Sequence, residues 1–240
     1  MPRRIPGAVK CSVALLFAFS AFAQQNNQKQ AAAPPERARS ESPLFFREEW
    51  KPVQGLPVEH PVTQAAVANP NLELKLYGPS GKDIQENGGP TTPNNPTHVW
   101  TGLCEQTCAL ALRDKNNYVD VSGLGKIRWY TKVTGLHQLH PIVKLADGTW
   151  LLGEHGDGTV FDYHESEFTL TETRWIKLDI DKVVTRGRWL DKVDLSKVDE
   201  VGFTDLMPGS GHGDGGYSDL GWFEVYGKPV PRNGSTSVQQ

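Results

Sequence analysis

The feature that most restricts the fold is the regular recurrence of short apolar segments separated by glycine, asparagine and aspartate turns. Leu72–Tyr77 alternates apolar and polar residues with a period of two, and Ile127–Val133 repeats the pattern, as half-buried strands do. Pro141–Leu145 and Thr149–Leu152 flank the turn sequence Ala-Asp-Gly, which favours a hairpin. No segment has a sustained period of 3.6 residues. We therefore predict an all-β antiparallel β-sandwich of jelly-roll type with few, short helices.

The two ends of the chain differ from this pattern. The first 23 residues have the organisation of a signal peptide, in which Arg3, Arg4 and Lys10 precede an apolar run that is followed by an Ala-Phe-Ala cleavage site. We expect a secreted or periplasmic protein. Residues 24–42 are rich in Gln, Ala and Pro and predict a disordered leader. A β-sandwich domain is predicted over residues 43–230 and a disordered tail over residues 231–240.

Charge and hydropathy exclude two classes of partner. The sequence has 25 Lys and Arg against 28 Asp and Glu, and three of the basic residues belong to the predicted signal peptide. A mildly acidic mature chain disfavours nucleic acid, because binding to nucleic acid depends on clustered basic side chains. No later run approaches the roughly 18 apolar residues of a membrane helix, so we expect no membrane span. The sequence does not predict an oligomeric state.

Cys104 and Cys108 are the cysteines that follow the predicted signal peptide, in the segment GLCEQTC. In an exported protein such a pair favours a disulfide, with buried free thiols as the alternative. Four residues along a straight strand span roughly 13 Å, which is beyond disulfide reach. A bond therefore requires a turn or bulge at residues 105–107. No second CxxC and no neighbouring His pair completes a zinc site.

Several later segments resemble the core and C-terminal strands of galactose-binding-like β-sandwiches, a group that includes many carbohydrate-binding modules. They are GLGKIRWYTKV, KLADGTWLL, RWIKLDI, VDEVGF and GWFEVYG. The resemblance covers roughly residues 99–230 and implies a carbohydrate ligand. It also implies a structural calcium ion at Glu224, which matches a last-strand ligand of several such modules, although its usual N-terminal partner is not identifiable here. The Glu-x-Asp-x-(x)-Glu run of concanavalin-like glycosidases is absent, which disfavours a hydrolase.

Aromatic and charged residues on strands are the first candidates for a sugar site. Sugars bind to aromatic faces and to side chains that hydrogen-bond with hydroxyl groups. Arg128 and Tyr130 share the strand face opposite Trp129, which we expect in the core, and Trp150 lies at a strand end. We therefore predict Arg128, Tyr130 and Trp150 as ligand-binding residues. The alternative for Arg128 and Tyr130 is an ordinary solvated strand face.

Two glycine-rich loops supply the second group of candidates. Glu154, His155 and Asp157 follow a hairpin strand, while His212 and Asp214 lie among glycines between two apolar runs. If both loops meet at one rim of the sandwich, their imidazole and carboxyl groups form one site for ligand binding or acid–base chemistry. Polar loop tips without a ligand are the alternative. An oxygen-rich set could instead hold Ca²⁺: Asp205, Asp214, Asp219 and Glu224.

The function predicted first is non-catalytic glycan binding by an exported protein, a prediction based on analogy of fold. One alternative is a carbohydrate-active hydrolase or lyase with His155, Asp157, His212 and Asp214 as catalytic candidates. Another is an extracellular protein-interaction domain. A deep pocket with a His–carboxylate pair favours the enzyme, a shallow aromatic groove favours the binding protein, and a flat apolar patch favours the interaction domain.

Overall fold

Short strands account for most of the computed structural model of this chain, which describes residues 41–92, 94–207 and 216–232. These residues contain two 3₁₀ helices, Gln64–Ala66 and Gly81–Asp83, and sixteen strands. In chain order the strands are β1 (Leu44–Glu48), β2 (Glu59–Pro61), β3 (Leu72–Tyr77), β4 (Gln85–Asn87), β5 (His98–Trp100), β6 (Cys108–Asp114), β7 (Asn117–Asp120), β8 (Lys126–Val133), β9 (Leu139–Leu145), β10 (Trp150–Gly153), β11 (Val160–Thr169), β12 (Trp175–Asp179), β13 (Val184–Leu190), β14 (Val198–Asp205), β15 (Ser218–Tyr226) and β16 (Lys228–Pro231).

The strands form two antiparallel sheets. Sheet A has the order β11-β8-β15-β5-β4-β2, and β1 also pairs with β15. Sheet B has the order β13-β12-β10-β9-β14-β6-β3, with β7 paired to β14 and β16 paired to β7. Within sheet A, β5 pairs with Asp219 and Leu220, while β1 pairs with the later residues of β15. The predicted antiparallel β-sandwich is confirmed.

The main core lies between the inner faces of the two sheets, and the alternation of β8 shows why. Ile127, Trp129 and Val133 are fully buried, because residues two apart on a strand point to the same face. The intervening side chains of β8 are partly exposed on the outer face of sheet A. Phe203 of β14 and Phe223 of β15 fill the same core from the two sheets.

A second, smaller apolar cluster covers part of the outer face of sheet B. It contains Ile142, Trp150 and Leu152, with Tyr77 packed against it. The turn after β12 closes over this cluster, since Thr107 Oγ1 donates a hydrogen bond to the carbonyl oxygen of Lys182 at 2.7 Å. The two outer faces therefore differ, because on sheet B the aromatic side chains are packed away under a turn.

The segment between residues 78 and 97 is rich in Gly, Pro and Asn, and it contains the short strand β4. Glu86 of β4 is completely buried, and its Oε2 lies 2.9 Å from His60 Nε2 of β2. A strand without apolar alternation is thus held by a polar contact with its neighbour. This strand matters for the site because its residue Asn87 pairs with His98 of β5.

The cysteine pair lies within the described residues, whereas most of the two chain ends does not. Cys104 and Cys108 form a disulfide, with Cα atoms 6.4 Å apart, across the turn that such a bond requires. The predicted signal peptide, nearly all of the leader, the loop with His212 and Asp214, and nearly all of the tail lie outside the described residues. In the described part of the chain, no helix has the length and apolar character needed to cross a membrane.

Candidate functional site

The outer face of sheet A carries a row of stacked rings. Tyr130 of β8 lies 5.8 Å from Trp222 of β15, with 13° between the ring planes, and 5.0 Å from Tyr163 of β11. The guanidinium of Arg47 also lies over the ring of Trp222, 4.5 Å from its centre. The broad faces of these rings are therefore largely occupied by one another. The row offers ring edges and polar tips rather than a flat stacking platform.

Salt bridges surround this row. Glu224 pairs with Arg47, and also with Arg128 at 3.1 Å. Burial alone would raise the pKa of Glu224, but the hydrogen bond from Tyr226 and the two guanidinium groups lower it. A calcium ion at Glu224 would have to compete with two cations already in place. Over the described residues, no group of three or more His, Cys, Asp or Glu side chains is arranged to hold a metal ion, so the predicted calcium site gains no support.

Beside the row of rings lies an open cleft of about 410 Å³, within the usual size range of ligand pockets. Strand pairing brings the residues at the floor of the cleft together, since Asp219 of β15 lies opposite both Lys132 of β8 and Trp100 of β5. The ring of Tyr217 meets that of Trp100 edge to face, at 6.0 Å and 86°. The complete lining is Glu59, Asn87, Asn95, His98, Trp100, Leu103, Lys132, Tyr217 and Asp219.

Asp219 has the most perturbed carboxyl group of the cleft. Its side chain is 4% exposed, and Tyr163 donates a hydrogen bond to Oδ2 at 3.2 Å. Burial raises the pKa of Asp219 to about 7, although the positive charge of Lys132 and the bond from Tyr163 act in the opposite direction. Near neutral pH this carboxyl group is therefore divided between its protonated and ionised forms.

His98 faces Asp219 with a defined tautomer. Its Nδ1 lies 2.8 Å from the carbonyl oxygen of Pro96, which can only accept, so Nδ1 carries the proton. Nε2 then has a free lone pair, 3.9 Å from Asp219 Oδ2. Burial lowers the pKa of His98, which keeps the ring neutral near pH 7. A proton acceptor and a carboxyl group that titrates near neutrality thus face each other across 3.9 Å.

The predicted pair His155 and Asp157 lies elsewhere, at the inner side of β11. Asp157 accepts hydrogen bonds from Trp129 Nε1 at 2.7 Å, Thr131 Oγ1 at 2.8 Å and Ser166 Oγ at 3.0 Å. His155 Nε2 is 3.1 Å from Asp157 Oδ1, the oxygen that also accepts from Ser166. Burial alone would raise the pKa of Asp157, but these hydrogen bonds outweigh it and lower the pKa. Both carboxylate oxygens of Asp157 thus accept hydrogen bonds from neighbouring side chains of the fold, as expected of a carboxylate with a structural role.

The stems of the two glycine-rich loops are neighbours at one rim. Leu139 forms an isolated β-bridge with Asp157 and pairs in register with Asp205, the last residue of β14. Asp205 is buried, forms a hydrogen bond with His137 and accepts a second one from Ser218 Oγ at 3.0 Å. The hypothesis that the loops share a rim therefore agrees with the positions of their stems. His212 and Asp214 themselves lie outside the described residues.

The remaining predicted residues are dispersed. Glu154 contacts Arg174 at 3.6 Å on the surface, and together with His155 it lines a separate pocket of about 340 Å³. Trp150 is 7% exposed and packs on Tyr77 on the outer face of sheet B, far in the topology from Arg128 and Tyr130 on sheet A. Those predicted ligand-binding residues that the structure describes thus lie on both sheets, whereas the cleft at Asp219 joins residues that the sequence did not group.

Comparisons with known proteins give the following. No family model matches the chain, and no curated protein matches it. Among solved structures it is similar to the family 11 carbohydrate-binding module of a cellulosomal cellulase of Clostridium thermocellum, with 13% identity and a TM-score of 0.33 over 77% of this chain and 94% of that one. It is also similar to an exo-beta-agarase, with 9% identity and a TM-score of 0.37 over 69% of this chain and 24% of that one.

A further agarase has 11% identity and a TM-score of 0.39 over 72% of this chain and 25% of that one. The chain therefore spans about a quarter of the length of the agarases that it matches. Similarity at this level identifies neither a family nor a function. A proposal about function therefore depends on the residues that line the cleft.

Proposed function

We propose that this protein is an exported glycan-binding protein and that its binding site is the cleft at Asp219 on the outer face of sheet A. The observation that carries the proposal is the convergence of two aromatic rings with amide, imidazole, ammonium and carboxyl groups in one open cleft. Sugar recognition needs both an apolar ring surface and side chains that hydrogen-bond with hydroxyl groups.

The geometry of the aromatic wall supports this proposal. Trp100 and Tyr217 meet edge to face, so the edge of one ring contacts a face of the other, whereas parallel rings cover each other's broad faces. This distinguishes them from the row of Tyr130, Tyr163 and Trp222, whose faces are in mutual contact. Asn87 and Asn95 line the same cleft, and each amide supplies both donors and an acceptor for sugar hydroxyl groups.

The proposal is tested by isothermal titration of the purified protein against a panel of plant, algal and bacterial oligosaccharides. For any sugar that binds, Trp100→Ala should weaken the affinity by about tenfold or more, as loss of an interface aromatic commonly does. Trp189→Ala is the matched control, because Trp189 lies on β13 of sheet B against Arg174. Equal losses in both variants, or no binding to any glycan, would contradict the proposed site.

The facing pair of Asp219 and His98 favours a second candidate function, a carbohydrate-active hydrolase or lyase. A catalytic acid or base is most effective with a pKa near the working pH, and Asp219 meets this condition. The test is the release of reducing ends or of unsaturated sugars from each polysaccharide that binds. Loss of turnover with retained binding in Asp219→Asn would establish the enzyme, and an inert wild-type protein would leave binding alone.

A further inference from the structure

Lys132 is the lysine that lines the cleft. The groups around its ammonium differ from those around the ion-paired basic side chains of the same face. Its Nζ lies 5.4 Å from the ring centre of Tyr217 and 6.0 Å from that of Tyr163. In the described part of the chain, no carboxylate oxygen comes within the 4.0 Å of an ion pair with it. By contrast Arg128 pairs with Glu165 at 2.9 Å. Lys132 therefore presents an ammonium group that aromatic rings hold in position.

The nearest carboxyl group does not cancel this charge. Asp219 lies opposite Lys132 in the strand register, but it is buried, with a single phenolic donor from Tyr163 and the neutral ring of His98 beside it. Such surroundings favour the uncharged carboxyl form. Although burial alone would lower the pKa of Lys132, contacts with Tyr217 and the nearby acids raise it, so the ammonium stays charged.

The other acids near the cleft are solvated. Glu59, which lines its mouth, and Asp162, which faces Lys132 from β11, are both exposed. Water and salt screen exposed charges strongly, whereas the ammonium of Lys132 is partly shielded by two rings. Below neutral pH, where Asp219 is mostly protonated, the balance of charge inside the cleft is therefore positive.

We propose that the cleft binds a glycan through a sugar unit that carries an anionic group, a uronate carboxylate or a sulfate ester, with Lys132 Nζ as the partner of that group. This inference rests on the proposed glycan-binding function and narrows it to acidic glycans. The sugar ring then lies against Trp100 or Tyr217, and Asn87 and Asn95 remain available for its hydroxyl groups.

The arrangement also fixes the direction of the pH dependence. An anion beside Asp219 disfavours the charged carboxylate, so binding and protonation of Asp219 support each other. Affinity for the acidic sugar should fall as the pH rises through about 7, where Asp219 loses its proton. The groups that face Asp219 and enter this equilibrium are Lys132, Tyr163 and His98.

The experiment is a titration of the full-length protein with matched pairs of ligands. Oligomers of galacturonate, glucuronate and mannuronate are compared with their methyl esters, and a sulfated galactan oligosaccharide is compared with its desulfated form. We expect at least one acidic member to bind tenfold or more tightly than its neutral partner, and the pair that shows the difference identifies the anion. Lys132→Gln should remove that difference, whereas Lys126→Gln, at an ion-paired lysine of the same strand, should preserve it.

The outcomes separate the two proposals. Neutral glycans that bind as well as or better than their acidic partners overturn this inference and leave the glycan-binding function intact. If Lys132→Gln melts at the wild-type temperature and still prefers the acidic ligand, the inference is also overturned. If Lys132→Gln does not melt at that temperature, Lys132→Arg decides the point, because this variant keeps the charge and must keep the preference for the acidic ligand. Absence of binding to any ligand overturns both.

Discussion

Asp157 and Asp219 are two buried carboxyl groups on opposite sides of the same sheet, and they differ in how they are satisfied. Asp157 is 7% exposed and receives donors from Trp129, Thr131 and Ser166, with His155 alongside. Asp219 is 4% exposed and receives one donor, from a tyrosine. The pKa of the first is lowered and that of the second is raised to about 7.

The comparison shows that burial alone does not decide the role of an acidic side chain. Donors aimed at a carboxylate stabilise its charge and fix it as part of the framework, whereas a carboxyl group with few donors titrates in the neutral range. Asp157 therefore belongs to the core of the sandwich. Asp219 is the group that can respond to a ligand, and perturbed groups in clefts are the usual candidates for function.

The strongest test of this contrast is Asp157→Asn. An asparagine keeps only one oxygen to accept from the side chains that surround Asp157, and it lacks the negative charge that those side chains stabilise. We expect the free energy of unfolding at pH 7 to fall by about 3–5 kcal/mol, as in other broken buried networks, measured by urea denaturation. Asp162→Asn, at an exposed acid of β11, should change it little. A wild-type midpoint for Asp157→Asn would show that the network contributes no stability.

A second test uses the opposite sign of the Asp219 shift. The folded pKa of about 7 lies above the roughly 3.9 of an unfolded chain. Asp219 therefore contributes stability that is fully present below about pH 4 and is lost as the pH rises through 7. Asp219→Asn should abolish that loss, so its stability relative to wild type should increase by up to roughly 4 kcal/mol between pH 4 and pH 8.

The measurement is a series of urea titrations of both proteins across this pH range. The lowered pKa of Asp157 acts in the other direction, because its contribution is present above the unfolded pKa and is lost only as the pH falls through the folded value. Parallel stability curves for wild type and Asp219→Asn would refute the assignment of the neutral titration to Asp219.

The smallest expected effect comes from Tyr163→Phe, which removes the donor to Asp219 and keeps the ring that stacks on Tyr130. Since that hydrogen bond favours the charged carboxylate, its loss should raise the pKa of Asp219 by up to about one unit. Carboxyl ¹³C chemical shifts followed through a pH titration would detect the change. Tyr118→Phe, on β7 of sheet B, serves as the control. An equal change in the pKa of Asp219 in that variant would contradict the role of the Tyr163 hydrogen bond.

The contrast between these two residues also explains what the sequence could predict. Strand alternation predicted that Trp129 is buried and that Arg128 and Tyr130 share the other face, because a period of two is a local property of the chain. The β9–β10 hairpin followed from the Ala-Asp-Gly turn in the same way. The sandwich could thus be derived from local patterns alone.

The cleft could not be derived in this way. Its lining residues lie between positions 59 and 219 of the sequence, so no local spacing groups them. The sequence marks Asp219 only as one of several acids, since the number of donors that reach a carboxyl group depends on tertiary contacts. β4 lacks apolar alternation and its Glu86 contacts His60, so local patterns do not predict this strand. The polar sequence neighbours of Asp157 predict a site, although its spatial neighbours belong to the core.

The position of β15 in sheet A has a consequence for folding. This strand is the last but one in the described chain, yet it pairs with β8, β5 and β1 and supplies Asp219 to the cleft. Sheet A therefore cannot be completed until residues 218–226 are available, and the pairings of β15 close long loops. Folds dominated by such distant contacts acquire their structure slowly. A nascent chain that ends before Ser218 should lack the strand that joins β8 to β5, so the cleft forms only after β15 has been synthesised.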